Sequence, residues 1–329
     1  MAVIDTGVRA SHMEFDYRGP GSKSDQVVAW WDFTADKKPK IVEPRRGQLW
    51  DTQVTDPYDD DEIYGHGTGV AAMAVGLNRV KDKTPSLAPG YRLAIAKVLD
   101  SAGTGAAELA AAIRWATDTV HASVINVSIG DITPYPAALD LGVLDAIDAA
   151  TRAGVLVVLG NGNGWANAGV PGEPGWATGY GESTNALAVG AADEQGLLFS
   201  TDPEVTANSD VHTANNIGFD AYMDINGTSF ASPFVAGFAA RLIAAARAAH
   251  RDASPAHIRR LIEYSAVDTV RPPDSEGYGE VTAAALPAAL VHARAGTLPA
   301  RPNPDLSGLY VENVSMKLRD VWTNQLRGP

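Results

Sequence analysis

The sequence predicts an α/β fold in which a central, mostly parallel sheet is flanked by helices. Short apolar runs alternate with Ala-rich helical stretches, the order expected of repeated βαβ units. The inner runs carry few polar residues, as strands covered on both faces require. With 45% hydrophobic and 20% charged residues, the 329-residue chain has ample material for one large core.

The expected strands are Ala2 to Ile4, Leu93 to Leu99, Val124 to Val127, Val155 to Leu159 and Ala186 to Val189. Between and after them, helices are expected at Val70 to Val75, Ala106 to Thr117, Pro136 to Ala153 and Ser232 to His250. A further helix is read at Pro255 to Tyr264, then a Gly/Pro-rich turn at Arg271 to Gly279 and a last helix at Val281 to Ala295. Residues 1–296 thus read as one large domain. Within it, residues 15–64 lose the alternation and read as a long irregular surface insertion, with Trp30 and Trp31 as packing residues. Residues 297–329, with Pro299, Pro302 and Pro304, read as a tail or docked appendage.

Composition narrows the chemistry. A formal charge of −13 repels a phosphate backbone and argues against nucleic-acid partners. The continuous apolar runs fall short of the roughly 20 residues a bilayer requires, so no membrane role is expected. Without cysteine there is no disulfide, thiolate metal site or thiol nucleophile, and covalent catalysis must use Ser, Thr, Lys or a carboxylate. No secretory signal precedes the first strand, so the chain as given is expected to be cytoplasmic if complete, or else processed or truncated.

Three segments each set one reactive side chain among glycines at a strand end or helix start. They are Val3-Ile4-Asp5-Thr6-Gly7, Gly65-His66-Gly67-Thr68-Gly69-Val70 and Asn226-Gly227-Thr228-Ser229-Phe230-Ala231-Ser232-Pro233. Alone, each has an ordinary reading: a strand-end carboxylate, a turn histidine, an N-cap serine. Together they supply what a serine nucleophile needs, an imidazole to take its proton and a carboxylate to orient that imidazole. Asp5 precedes His66 by 61 residues and His66 precedes Ser229 by 163, so the fold must unite them. A parallel sheet can, because it gathers functional loops at the carboxyl ends of its strands. Ser229 also stands at a helix start, where unpaired N–H groups favour developing negative charge, and Pro233 suits the first turn.

These three blocks, in the order Asp, His, Ser, resemble those of the subtilisin-like serine proteases, the subtilases. The resemblance extends to Leu87-Ala88-Pro89 and Lys97-Val98-Leu99-Asp100, similar to a core strand, and to Gly277-Tyr278-Gly279 near the close of the domain. It covers residues 1 to about 295 and implies a subtilisin-like three-layer fold. It further implies a serine endopeptidase acting on polypeptide through an acyl-enzyme, with Asp5, His66 and Ser229 as the triad. Gly103-Thr104-Gly105 and Ser128-Ile129-Gly130 would line the substrate groove, pairing with the peptide as added strands. The oxyanion asparagine falls on Asn163 when counted without gaps, and on Asn161 with a two-residue gap. The backbone N–H of Ser229 would be the second donor.

No cofactor is required for such chemistry. The acidic run Asp59 to Glu62 could chelate calcium, which many members of that family bind for stability, but it lacks the ligand spacing of an EF-hand and a solvated loop is the favoured reading. The histidines lack H-E-x-x-H spacing, which argues against a zinc hydrolase. Gly69 and Phe234 stand where the family usually has histidine. The family also usually has a segment before the first strand, and its members are often secreted; three readings of that side stay open here, an upstream segment, a domain without its first layer, or a second chain that supplies it. Two alternatives stay open: a subtilase-like ligase or macrocyclase that passes the acyl group to an amine, and a catalytically idle peptide-binding domain.

Overall fold

The computed structural model describes residues 1–15, 26–34, 65–99, 105–129, 141–163, 185–192, 203–269 and 276–300. Seven strands form one sheet: β1 (Ala2–Asp5), β2 (Val27–Asp32), β3 (Leu93–Lys97), β4 (Val124–Val127), β5 (Leu156–Gly160), β6 (Ala186–Ala192) and β7 (Val205–Asn208). Their order is β2-β3-β1-β4-β5-β6-β7, and every neighbouring pair is parallel. The chain leaves β1 toward β3 on one side and returns to β4 on the other. The carboxyl ends of β1 and β4 therefore flank a crevice where loops diverge.

Alternation along the strands sorts the core into two layers. Val3, Ile95, Val124, Val158, Leu187 and Val189 face one cluster with α1 (His66–Val75), α4 (Thr228–Ala248), α5 (Pro255–Ser265) and α6 (Leu286–Ala295). Ile4, Ala96, Ile125, Val127, Val157 and Leu159 face the other with α2 (Ala106–Asp118) and α3 (Leu141–Arg152). The result is three layers, helices over both faces of the sheet. Helix α4 is long and apolar enough to cross a bilayer, yet 72% of its apolar window is buried in the domain, as befits a central core helix. It lies close against α1: a Cβ at Gly237 would sit 2.8 Å from the Ala74 carbonyl oxygen.

Several expectations change. β2 lies inside residues 15–64, and Trp30 is buried against the core, so part of that supposed surface insertion is an edge strand of the sheet. Trp31 stacks on Phe33 and meets Trp115 edge-on, a packing role. An antiparallel hairpin, β8 (Val211–Ala214) with β9 (Tyr222–Ile225), precedes α4 and was not anticipated. Helices α1 and α4 each begin four residues earlier than their apolar patterns suggested, because glycines carry the entry turns. Of the tail, only residues 297–300 lie among the described residues, and the acidic run 59–62 lies outside them.

Two buried polar clusters sit away from the crevice. Arg259 pairs with Glu204 at 2.7 Å and Glu263 at 2.7 Å, while Glu204 also accepts the Ala188 N–H at 2.6 Å. Burial pushes the Glu204 carboxyl up, opposed by the Arg259 guanidinium. The second cluster holds the turn between α1 and β3. Glu14, fully buried, accepts from the N–H groups of Asn78 and Arg79 and from the Tyr222 hydroxyl. The Asn78 carboxamide brackets Ser86. Lys83, 4% exposed, donates to Asn78 Oδ1 at 3.3 Å and to the Thr84 carbonyl at 2.9 Å. Burial lowers the Lys83 ammonium to about 8, against the opposing pull of Glu14.

Candidate active site

The crevice collects side chains from the ends of β1, β4 and β5 and from the starts of α1 and α4. Asp5 closes β1 and is fully buried; its Oδ1 accepts the Thr6 N–H at 2.8 Å. Gly65 caps α1 in the left-handed region, φ 61°, where a Cβ would lie 2.5 Å from the Asn216 nitrogen. That turn makes His66 the first residue of the helix and brings its Nδ1 to 2.7 Å from Asp5 Oδ1. The imidazole is 23% exposed, while the carboxylate is sealed from solvent. With Asp5 ionised, Nδ1 carries the proton and donates it, so Nε2 is the basic nitrogen.

The approach of α1 to β1 depends on a missing side chain. A Cβ on Gly67 would lie 2.1 Å from the Gly7 carbonyl oxygen and 3.1 Å from Asp5 Oδ1. Thr6 Oγ1 completes the seam by accepting the Gly67 N–H at 2.9 Å. Sequence reasoning passed over Thr6, although its place inside the Asp-Thr-Gly block was the available signal.

Ser229 is the second residue of α4 and half-buried. Gly227, φ 130°, is the N-cap, so neither Ser229 nor Ser232 caps this helix. The ring of Phe230, next along the chain, lies 5.4 Å from the His66 ring, which brings the two helix starts together. In this structure Ser229 Oγ donates to the Ser128 carbonyl at 3.2 Å. Gly69 also has a packing reason: a Cβ there would come within 3.0 Å of Met223 Cε and of the Phe230 ring.

Asn163 follows β5 and reaches the same place. Its Oδ1 accepts from the Thr228 N–H at 3.0 Å and the Thr228 hydroxyl at 3.1 Å. Both contacts occupy the oxygen, which leaves the Nδ2 donors directed away from Thr228. Asn161, the alternative, is fully buried, and its N–H bonds the Val189 carbonyl. Thr228 is the orienting group the sequence left unassigned.

Of the expected groove residues, Ser128 is buried beside Ser229, and Ile129 packs partly buried against the α2 and α3 side. Gly105 is exposed and caps α2. Gly103, Thr104 and Gly130 lie outside the described residues. Among the described residues no group of three or more His, Asp or Glu side chains could hold a metal ion.

A family model for the subtilase family, peptidase S8, matches residues 1–280. A thermophilic serine proteinase from Bacillus sp. (strain AK1) is 29% identical over 272 residues, 81% of this chain and 56% of that protein. Subtilisin Savinase from Lederbergia lenta is 33% identical over 183 residues, 54% of this chain and 62% of that protein. The matched region thus spans little more than half the length of these relatives. Among solved structures, a mutant of the protease domain of PatA superposes with a TM-score of 0.66 at 21% identity, covering 91% of this chain and 96% of that one. A psychrophilic protease superposes at 0.65 with 27% identity, covering 86% of this chain and 90% of the other. The chain belongs to the subtilase family.

Proposed function

We propose that this chain is a serine endopeptidase, with Ser229 as nucleophile, His66 as general base and acid, Asp5 as the group that orients His66, and Asn163 in the oxyanion hole. The observation that carries the reading is the 2.7 Å contact between His66 Nδ1 and the sealed carboxylate of Asp5. A buried carboxylate holding Nδ1–H fixes the tautomer and stabilises the imidazolium that forms when Nε2 takes a proton. Membership of the family and the likeness to curated serine proteinases support it further.

In the reaction, Ser229 Oγ turns from the Ser128 carbonyl toward His66 Nε2, gives up its proton there and attacks the scissile carbonyl carbon. Negative charge gathers on the carbonyl oxygen, where Asn163 Nδ2 and the Ser229 N–H donate to it. Asn163 suits this task better than Asn161, because its oxygen is held by Thr228 while its nitrogen stays available. The tetrahedral intermediate collapses as His66 returns the proton to the leaving amine, and water then attacks the acyl-enzyme by the same steps in reverse. The polypeptide substrate would lie between residues 103–105 and 128–130, pairing with them as an added strand. Every step uses side-chain and backbone groups, so the chemistry needs no cofactor.

The test is cleavage of casein and of fluorogenic peptides by wild type and Ser229→Ala, with product masses recorded. Wild type is expected to release products heavier by one water in sum, and the variant to fall at least about 1,000-fold in kcat/KM. Equal rates would remove Ser229 from the reaction, and products of unchanged total mass would redirect the acyl group to an amine.

A further inference from the structure

Helix α4 contains an unusual vacancy in its hydrogen-bond ladder, and it falls on the candidate nucleophile. In an α-helix each carbonyl accepts from the N–H four residues on. For Ser229 that residue is Pro233, which has no N–H. The sequence had suggested that Pro233 lies in the first turn, where the loss would not matter. Because α4 begins at Thr228, the loss instead strips Ser229 of its helical donor.

The missing donor arrives from the sheet. Ser128, just past the end of β4, places its Oγ 2.8 Å from the Ser229 carbonyl oxygen. The same Oγ contacts Ser232 Oγ at 3.0 Å and Asn126 Nδ2 at 2.9 Å. A serine hydroxyl has one proton, and with that proton on the Ser229 carbonyl, Ser232 and Asn126 must be the donors. Asn126 and Ser232 are fully buried and Ser128 is 7% exposed, so the hydroxyl rotor is held from three sides. In return, Ser229 Oγ donates to the Ser128 carbonyl.

We infer that Ser128 is a positioning residue for the nucleophile: its hydroxyl replaces the bond that Pro233 removes, and so anchors the Ser229 backbone to β4. The groove assignment gave this residue only a contact with substrate; the structure gives its side chain a second task. Anchored in this way, the Ser229 main chain keeps its N–H in register with Asn163 while Oγ swings between the Ser128 carbonyl and His66. The inference rests on the proposal that Ser229 is the nucleophile.

A double-mutant cycle tests it, because Pro233→Ala restores the N–H and makes the Ser128 hydroxyl redundant. Labelling with a fluorophosphonate comes first and serves to count active sites. If wild type is not labelled at Ser229, the nucleophile reading fails and the inference fails with it. If it is labelled, Ser128→Ala is expected to lower kcat about tenfold with KM within about twofold, and Ser128→Thr to keep most of the rate. Pro233→Ala alone is expected to stay within about twofold of wild type, and adding Ser128→Ala to it to cost no more than about threefold. Should Ser128→Ala not fold, Ser128→Cys, which fills the space but donates weakly, takes its place in the cycle. A change confined to KM, a change confined to Tm, or an equal loss in both backgrounds would overturn the positioning role and leave the nucleophile standing.

Discussion

Lys83 makes a measurable demand on the pH dependence of stability. Its ammonium is almost sealed from water, and burial outweighs Glu14 in setting its proton affinity, so it titrates at about 8 rather than 10.5. The unfolded chain therefore binds more protons than the folded one between those values, and folding becomes more favourable as pH rises through that window. The full interval is worth about 3 kcal/mol at about 1.4 kcal/mol per pH unit. Roughly 2 kcal/mol of this is recovered between about pH 7.5 and about pH 10. The perturbation is Lys83→Met, which keeps the length of the side chain and removes the titration. Other groups, including Tyr222, whose hydroxyl burial and Glu14 hold well above its ordinary range, are shared by both proteins and cancel in the difference. Both proteins would carry Ser229→Ala to prevent self-digestion. Thermal unfolding should show the lysine-containing protein gaining roughly 3 °C on the methionine variant across that range. A constant difference, or one that shrinks as pH rises, would refute the account of Lys83 as a buried ammonium held against its own desolvation.

Three other outcomes are expected. Gly67→Ala should separate His66 from Asp5, because its methyl would overlap the Gly7 carbonyl oxygen, and should lower kcat about 100-fold or more in peptide hydrolysis. Asp5→Asn should keep the fold but lose about 10,000-fold in kcat, since an amide does not hold the required tautomer; pre-steady-state acylation rates check this. Arg259→Met leaves Glu204 and Glu263 buried without their cation and should cost about 3 to 5 kcal/mol in denaturant unfolding, with the loss easing at acid pH as the raised Glu204 carboxyl takes up a proton.

What could be read without coordinates follows from the range of the forces involved. Asp5, His66 and Ser229 were singled out as reactive side chains set beside glycines, and the structure brings the first two within 2.7 Å; the inner strands were legible because they are apolar on both faces. β2 was hidden because it is an edge strand, with Trp31 and Asp32 half-exposed and polar segments on either side. The hairpin of β8 and β9 mixes His212, Thr213 and Asp224 into short runs, so no period of two stands out. The Lys83 turn was invisible for another reason. Its central carboxylate, Glu14, belongs to a distant part of the chain, and nothing local to Lys83 announces it. The link from Ser128 to Pro233 needed the helix start to be known to within a residue, which apolar patterning does not give.

The seam between Gly67 and the backbone after β1 divides the labour of this molecule. Main-chain contact and a threonine hydroxyl, rather than the long excursion joining them, set the distance from acid to base. Changes of sequence between Gly7 and Gly65 that leave this seam intact should therefore leave the 2.7 Å contact of His66 with Asp5 undisturbed. An engineer altering such a domain should treat Thr6, Gly7 and Gly67 as fixed points and look elsewhere for freedom.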